Sequence, residues 1–275
     1  MTSEADDAMS QTLTIEEIQA EAMGLLAIFD AFCREHGLRY FMAYGTLLGA
    51  VRHQGPIPWD DDVDIVMPRP DYDRFIALYR AQGAAGTKVF AMGDPGYPLG
   101  LAKITSLRTR MVEDALHFPD DYGVFVDIFP LDGLPKRGAK MHLRYVDVVH
   151  RLFQAAYHQK VPTRWKLRPR DRLRIPIGWI ARVLPRDRYL SMLNRAMRKF
   201  PYGSAERVAM LLSWLPLETE VFQREELEGE TWLRFGDLTL RAFADSEAVL
   251  ERNYGSTWRT PIKREWASHG IATWR

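Results

Sequence analysis

Pro58-Trp59-Asp60-Asp61-Asp62-Val63-Asp64-Ile65-Val66-Met67, preceded by Tyr44-Gly45-Thr46-Leu47-Leu48-Gly49-Ala50-Val51-Arg52, is the stretch on which the reading of this chain turns. Four carboxylates fall within five positions, immediately before and inside a β-branched apolar run. In a strand over 62–67 the faces alternate, so Asp62, Asp64 and Val66 point one way and Val63, Ile65 and Met67 the other. Two neighbouring carboxylates on one face repel unless a cation neutralises them. Hard divalent ions take oxygen ligands, and magnesium is typically held by one or two carboxylates together with substrate phosphates. The pattern therefore predicts a metal-assisted phosphoryl-transfer site built on Asp62 and Asp64. An acidic run alone also fits a solvated loop and a helix cap. The two-residue spacing inside a strand, and a second acidic strand further on, tell against that here.

Working outward, Thr14-Ile15-Glu16-Glu17 reads as a capping box that opens a helix, and its apolar period runs from Ile18 to about His36, where Gly37 ends it. Arg39 to Ala43 reads as a strand, Thr46 to Arg52 as a short helix, and Gly55-Pro56-Ile57-Pro58 as the loop that delivers the acidic strand. Pro70 opens a further helix at its favoured first position. Strands are expected at 88–92, 101–105, 109–113 and 124–129. Residues 140 to about 213 read as helices broken at Pro162, Pro169, Pro185 and Pro201. A hairpin turning at Gly236-Asp237 follows, then a helix of about ten residues that stops at Gly255.

Asp127 stands alone in the apolar strand Phe125-Val126-Asp127-Ile128-Phe129. Burying it unpaired would cost several kcal/mol or force it to take up a proton, so it requires a cation or a donor network. Asp62, Asp64 and Asp127 on two neighbouring strands could hold one or two magnesium ions about 4 Å apart; a turn could equally satisfy Asp127. Upstream, Gly45-Thr46 opens a helix whose N-terminus favours negative charge, with a hydroxyl to bind a phosphate oxygen. A Gly-Thr pair by itself is usually only a turn. Its meaning comes from standing sixteen residues before Asp62. Strand, Gly-Ser/Thr, short helix, then an Asp-x-Asp strand is the order of polymerase-β-type nucleotidyltransferases.

Tyr44 to Ile65, quoted above with its linker His53-Gln54-Gly55-Pro56-Ile57, resembles the LicD family. That family includes bacterial phosphocholine transferases and is related to fukutin-type ribitol-phosphate transferases. Gly123-Val124-Phe125-Val126-Asp127-Ile128-Phe129-Pro130-Leu131-Asp132-Gly133 is similar to the family's second block. A weaker likeness covers Leu250 to His269, with Tyr254-Gly255. The resemblance implies a nucleotidyltransferase core, Mg2+ or Mn2+ held by Asp62, Asp64 and Asp127, and attack on the distal phosphate of a CDP-alcohol with release of CMP. Asp127 is then the candidate to activate the acceptor hydroxyl.

Gly45, Thr46, Arg52, Trp59, Lys103 and His269 are the expected substrate-binding residues. Lys103 could place an ammonium on donor phosphates, or be a solvent-facing lysine on an edge strand. Arg52 and His53 could touch phosphate or hold the acidic loop. Trp59 could cover a base or a quaternary ammonium, or pack in the core. Asp60 and Asp61 are expected to support the ligands or cap. His269 rests on the likeness of the tail alone.

The net charge of +1 conceals an asymmetry. From Arg164 to Lys199 there are twelve Lys/Arg against two Asp, a net of +10, whereas 218–251 holds ten acids against three arginines, a net of −7. Basic residues flanking Ile175, Ile177, Trp179 and Ile180 suggest peripheral docking on an anionic membrane, or a helical lid with a solvated arginine face. No nucleic-acid module accompanies them. One cysteine, Cys33, excludes a disulfide framework and a cysteine zinc cluster. With no secretory signal pattern in 1–11 and no run near the roughly 20 apolar residues of a spanning helix, a cytoplasmic protein is expected.

The sequence thus predicts an α+β protein: a lead-in at 1–13, a nucleotidyltransferase core with a mixed sheet at 14–135, a basic helical region at 136–215, and a C-terminal hairpin and helix packing on the core at 216–275. The expected activity is transfer of a phospho-alcohol, phosphocholine first among the candidates, from a CDP-alcohol donor to a glycan or lipid-linked glycan. The alternatives are transfer of NMP to a small molecule, a metal-dependent glycosyltransferase, and a non-catalytic nucleotide-binding protein of the same fold. The glycosyltransferase reading lacks the nucleotide-binding βαβ segment that normally precedes its Asp-x-Asp pair.

Overall fold

A computed structural model describes residues 12–113, 116–157, 184–213, 215–229, 231–261 and 270–275. Helix α1 (Ile15–Glu35) starts as its sequence requires: Thr14 Oγ1 accepts from Glu17 N–H at 3.2 Å and Glu17 returns the bond to Thr14 N–H at 2.8 Å. Its apolar stripe meets α3 (Arg69–Gln82), where Phe29 and Phe32 stand edge-on to Phe75. Such aromatic pairs add about 0.5–1.5 kcal/mol each beyond the area they bury. Pro70 sits in the first turn of α3, where its missing N–H costs no helical bond.

The central sheet is mixed. It runs β1 (Phe41–Met42), β2 (Asp64–Pro68), β6 (Phe125–Gly133), β4 (Ala102–Ser106) and β3 (Thr87–Phe90), with β7 (Arg207–Met210) on the far end of β6 and β8 (Val221–Gln223) beyond it. β2 and β6 are parallel; the other pairs are antiparallel. The nine residues of β6 let it pair β4 through its first half and β7 through its last three positions. Every residue of β2, β4 and β6 is buried, so both faces of the sheet's centre are covered.

Around this sheet lie α2 (Tyr44–His53), α4 (Ala139–Tyr157), α5 (Arg186–Met197) and α6 (Ser246–Tyr254). A small sheet pairs β5 (Thr109–Val112) with β11 (Ile271–Trp274). The hairpin of β9 (Thr231–Phe235) and β10 (Leu238–Ala242) turns at Gly236-Asp237 as expected, with Gly236 at φ 64° where a side chain would be strained. Gly236 N–H donates to Gln54 O at 2.7 Å, which ties the hairpin to the loop after α2. α6 ends at Gly255, also as expected.

Three expectations change. The acidic strand begins at Asp64, so Asp62 lies on the approach to it and not within it. Residues 207–210, read as helix, form β7, because a short buried apolar run (Val208, Ala209, Met210) has no period that separates helix from strand. β4 lies between β3 and β6, so Lys103 is not on an edge and is not solvent-facing. The basic stretch 164–183 lies outside the described residues. Among those described, no helix is long and apolar enough to cross a membrane.

Candidate active site

Strand register builds the centre of the site. Asp64 of β2 is paired with Asp127 of β6, and Asp127 in turn with Lys103 of β4. Paired positions share a face, so Lys103, Asp127 and Asp64 form a polar row across three strands. All three are buried, at 3%, 8% and 8% exposure. Lys103 Nζ lies 2.8 Å from Asp127 Oδ1 and over the Phe125 ring, 3.2 Å from its centroid. Its approach to Asp127 lacks hydrogen-bond geometry, and Oδ1 has no hydrogen-bond partner.

The backbone of Asp64 is clamped from both sides. Its N–H donates to Thr46 Oγ1 at 2.8 Å and its carbonyl accepts from Ala43 N–H at 3.0 Å. The turn into α2 is thereby fastened to the acidic strand, and Thr46 orients a carboxylate-bearing residue. Gly45 stands against the Asp60 side chain: a Cβ there would lie 2.4 Å from Oδ2, so only glycine admits this approach. From below, Gln19 Nε2 of α1 holds the carbonyls of Ile57 and Asp60, at 2.9 and 2.7 Å.

Asp60, Asp61 and Asp62 are half-buried, and among the described residues they are the acidic trio whose oxygens gather within 4.8 Å of one another. Burial above all, then the carboxylates of Asp62, Asp127 and Asp60, pushes Asp64 well above the usual carboxylate range, against the pull of Lys103. Carboxylates crowded in this way favour a cation. The donor set is entirely oxygen, and Asp127 Oδ1, ion-paired with Lys103 but without a hydrogen-bond partner, has a lone pair to offer. A hard divalent ion fits these residues.

Other expected residues are less central. Arg52 Nη1 donates to the Trp258 carbonyl at 3.1 Å, and Nη2 lies 3.2 Å from His53 Nε2. Trp59 stands edge-on to His53 with centroids 6.4 Å apart. These contacts brace the acidic loop against the C-terminal part of the chain. His269 lies outside the described residues.

Two residues went unread. Tyr254, at the end of α6, feels Asp64, Asp60 and Asp62: burial first and then those carboxylates raise its phenol, although part of its ring stays exposed. Glu220, fully buried before β8, accepts from Tyr44 Oη at 2.7 Å, and burial pushes its carboxyl up to about 7. That bond helps hold Tyr44 at φ 44°, a left-handed conformation uncommon for a bulky residue, directly before Gly45. Tyr254 left a trace in the Tyr254-Gly255 likeness. Glu220 left none, since it stands in an acidic stretch that reads as solvated surface.

A mixed α+β fold that sets Asp64 and Asp127 side by side on two parallel strands defines the class. Residues 37–164 match the family model described as "LicD/FKTN/FKRP, nucleotidyltransferase domain". Over 125 residues the chain is 36% identical to the lipopolysaccharide cholinephosphotransferase LicD of Haemophilus influenzae, covering 45% of this chain and 46% of that protein. An uncharacterized protein of Rickettsia typhi is 51% identical over 41 residues, 15% of this chain and 13% of its own. The chain thus spans less than half the length of the curated relatives it matches. Residues 37–164 are thus similar to the LicD family.

Proposed function

We propose that this chain transfers a phospho-alcohol, phosphocholine first among the candidates, from a CDP-linked donor to a hydroxyl of a glycan or lipid-linked glycan. The sheet from β1 to β6 and the turn at Gly45-Thr46 would then be a nucleotidyltransferase-type core. The observation that carries this reading is the Lys103–Asp127–Asp64 row beside the Gly45-Thr46 turn. Asp62, Asp64 and Asp127 would hold Mg2+ or Mn2+, which when bound neutralises phosphate charge and orients the diphosphate. The acceptor oxygen attacks the phosphorus that bears the alcohol. The bond from that phosphorus to the bridging oxygen breaks, CMP leaves with the electron pair, and Asp127 receives the acceptor proton. Thr46 and the first turn of α2 bind the donor phosphates, where helix N–H groups favour anions. The choline part follows from what the relative is named for.

Purified chain with magnesium, offered CDP-choline, CDP-ribitol, CDP-glycerol and CDP-ethanolamine together with cell-envelope glycans, should release CMP from one of them, and Asp127→Asn should abolish the release. Pyrophosphate released from a nucleoside triphosphate, with no CMP from any CDP-alcohol, would favour NMP transfer instead. Nucleotide affinity indifferent to magnesium would favour a binding protein without catalysis.

A further inference from the structure

The helix α4 carries two apolar faces where a surface helix needs one. Leu143, Val146, Val149 and Phe153 are buried in the core. Met141, Tyr145 and Val148 recur at spacings of four and three, hence along one outward stripe, and are 74%, 48% and 54% exposed. Half-buried Leu152 continues the line. Along one border of the stripe stand the exposed Lys140, Arg144 and Arg151, the last bonded to Asp147 at 2.8 Å. Exposed Arg137 precedes the helix. Contiguous exposed apolar side chains of this kind mark an interaction surface.

From this arrangement we infer that the outer face of α4 docks on an anionic lipid bilayer. An apolar stripe with an aromatic residue, edged by long cationic side chains, is the chemistry of a helix lying in the headgroup plane, with lysine and arginine stems covering apolar surface while their charges reach phosphate. The chain leaving α4 keeps the same sign: Lys160 to Arg174 contains seven Lys/Arg against Asp171, with Trp165 among them. A second copy is the poorer occupant, because an antiparallel two-fold contact through this stripe would set the basic borders against each other, and a parallel one would leave them without an opposing anion. Whereas the sequence pointed to the basic stretch, the folded helix supplies an apolar surface of its own. The inference is independent of the proposed reaction, since docking is read without turnover.

The test is co-sedimentation of the full chain with vesicles of phosphatidylcholine alone and of phosphatidylcholine with phosphatidylglycerol. Binding should require the anionic lipid and weaken as salt rises. Lys140→Gln with Arg144→Gln should lower partitioning roughly 25-fold, about five-fold for each charge removed. Val148→Asp should lower it while the melting temperature is kept. Should Val148→Asp not fold, the lysine–arginine pair still decides, since both residues are exposed. Equal binding to both vesicles, no binding to either, or variants that partition like the wild type would overturn the inference. So would a dimer in analytical ultracentrifugation that Val148→Asp dissociates.

Discussion

Replacing Lys103 by methionine keeps the length and most of the volume of the side chain and removes only its charge. In the folded protein Nζ lies 2.8 Å from Asp127 Oδ1, with the two side chains 4% and 11% exposed. Removing one partner of a buried pair costs about 3–5 kcal/mol, because the other charge is left uncompensated. Asp64 adds to this, since it sits beside Asp127 on the next strand. Two ionised carboxylates about 5 Å apart at an effective dielectric of about 20 would repel by roughly 3 kcal/mol, a repulsion that helps push the Asp64 carboxyl above its usual range, and in this region Lys103 is the cation within the row. Lys103→Met should therefore lower the melting temperature by about 6–10 °C in a divalent-free buffer. Saturating magnesium should recover part of the loss, because a ligand bound only by the folded state stabilises it. Asp127→Asn in the Lys103→Met background should recover another part by removing the orphaned charge. A Lys103→Met melt within 1 °C of the wild type, or a deficit that neither magnesium nor Asp127→Asn reduces, would refute the reasoning.

Thr46→Val removes the acceptor of a buried backbone N–H and should cost about 1–3 kcal/mol in urea denaturation, with CMP release falling further than stability alone explains. Gly45→Ala places a methyl where Asp60 Oδ2 now stands, so manganese affinity measured by titration calorimetry should drop at least ten-fold while circular dichroism stays native. Glu220 has its folded pKa raised to about 7 by burial. Its stabilising contribution is thus fully present below the ordinary carboxylate value and is lost as pH rises through 7, a loss of about 3 kcal/mol. Urea midpoints at pH 5.5 and 8.5 should separate more for the wild type than for Glu220→Gln, and parallel profiles would remove this role for Glu220.

Local chemistry made much of the fold legible. The capping box at Thr14 and Glu17, Pro70 in the first turn of α3, the Gly236-Asp237 turn and the stop at Gly255 each depend on a few adjacent residues, and each appears where expected. Strand β7 was not legible, because a buried apolar run carries no period. The start of β2 was misplaced by two residues because Asp62 obeys strand alternation without being paired. In the site, the neighbourhood of Asp64 and Asp127 was readable from two acidic strands. Lys103 was named as a candidate, but its pairing with Asp127 was not legible, because that depends on the order of strands in the sheet and not on its own neighbours in sequence. Glu220 and Tyr254 come from segments 156 and 190 residues downstream of Asp64, and no local pattern announces such a return. The half-buried Asp60–Asp61–Asp62 trio gathers its oxygens within 4.8 Å, and the buried Asp64 feels the charges of Asp62, Asp127 and Asp60.

Crystals of the chain grown with CDP-choline and manganese, measured at the manganese absorption edge, would locate the ion without reference to turnover. The account predicts an anomalous peak bonded to oxygens of Asp62, Asp64 and Asp127 and to the donor diphosphate. A peak held by Asp60 and Asp61 with Asp64 and Asp127 outside its coordination sphere, or no peak beside these carboxylates when nucleotide is bound, would contradict it.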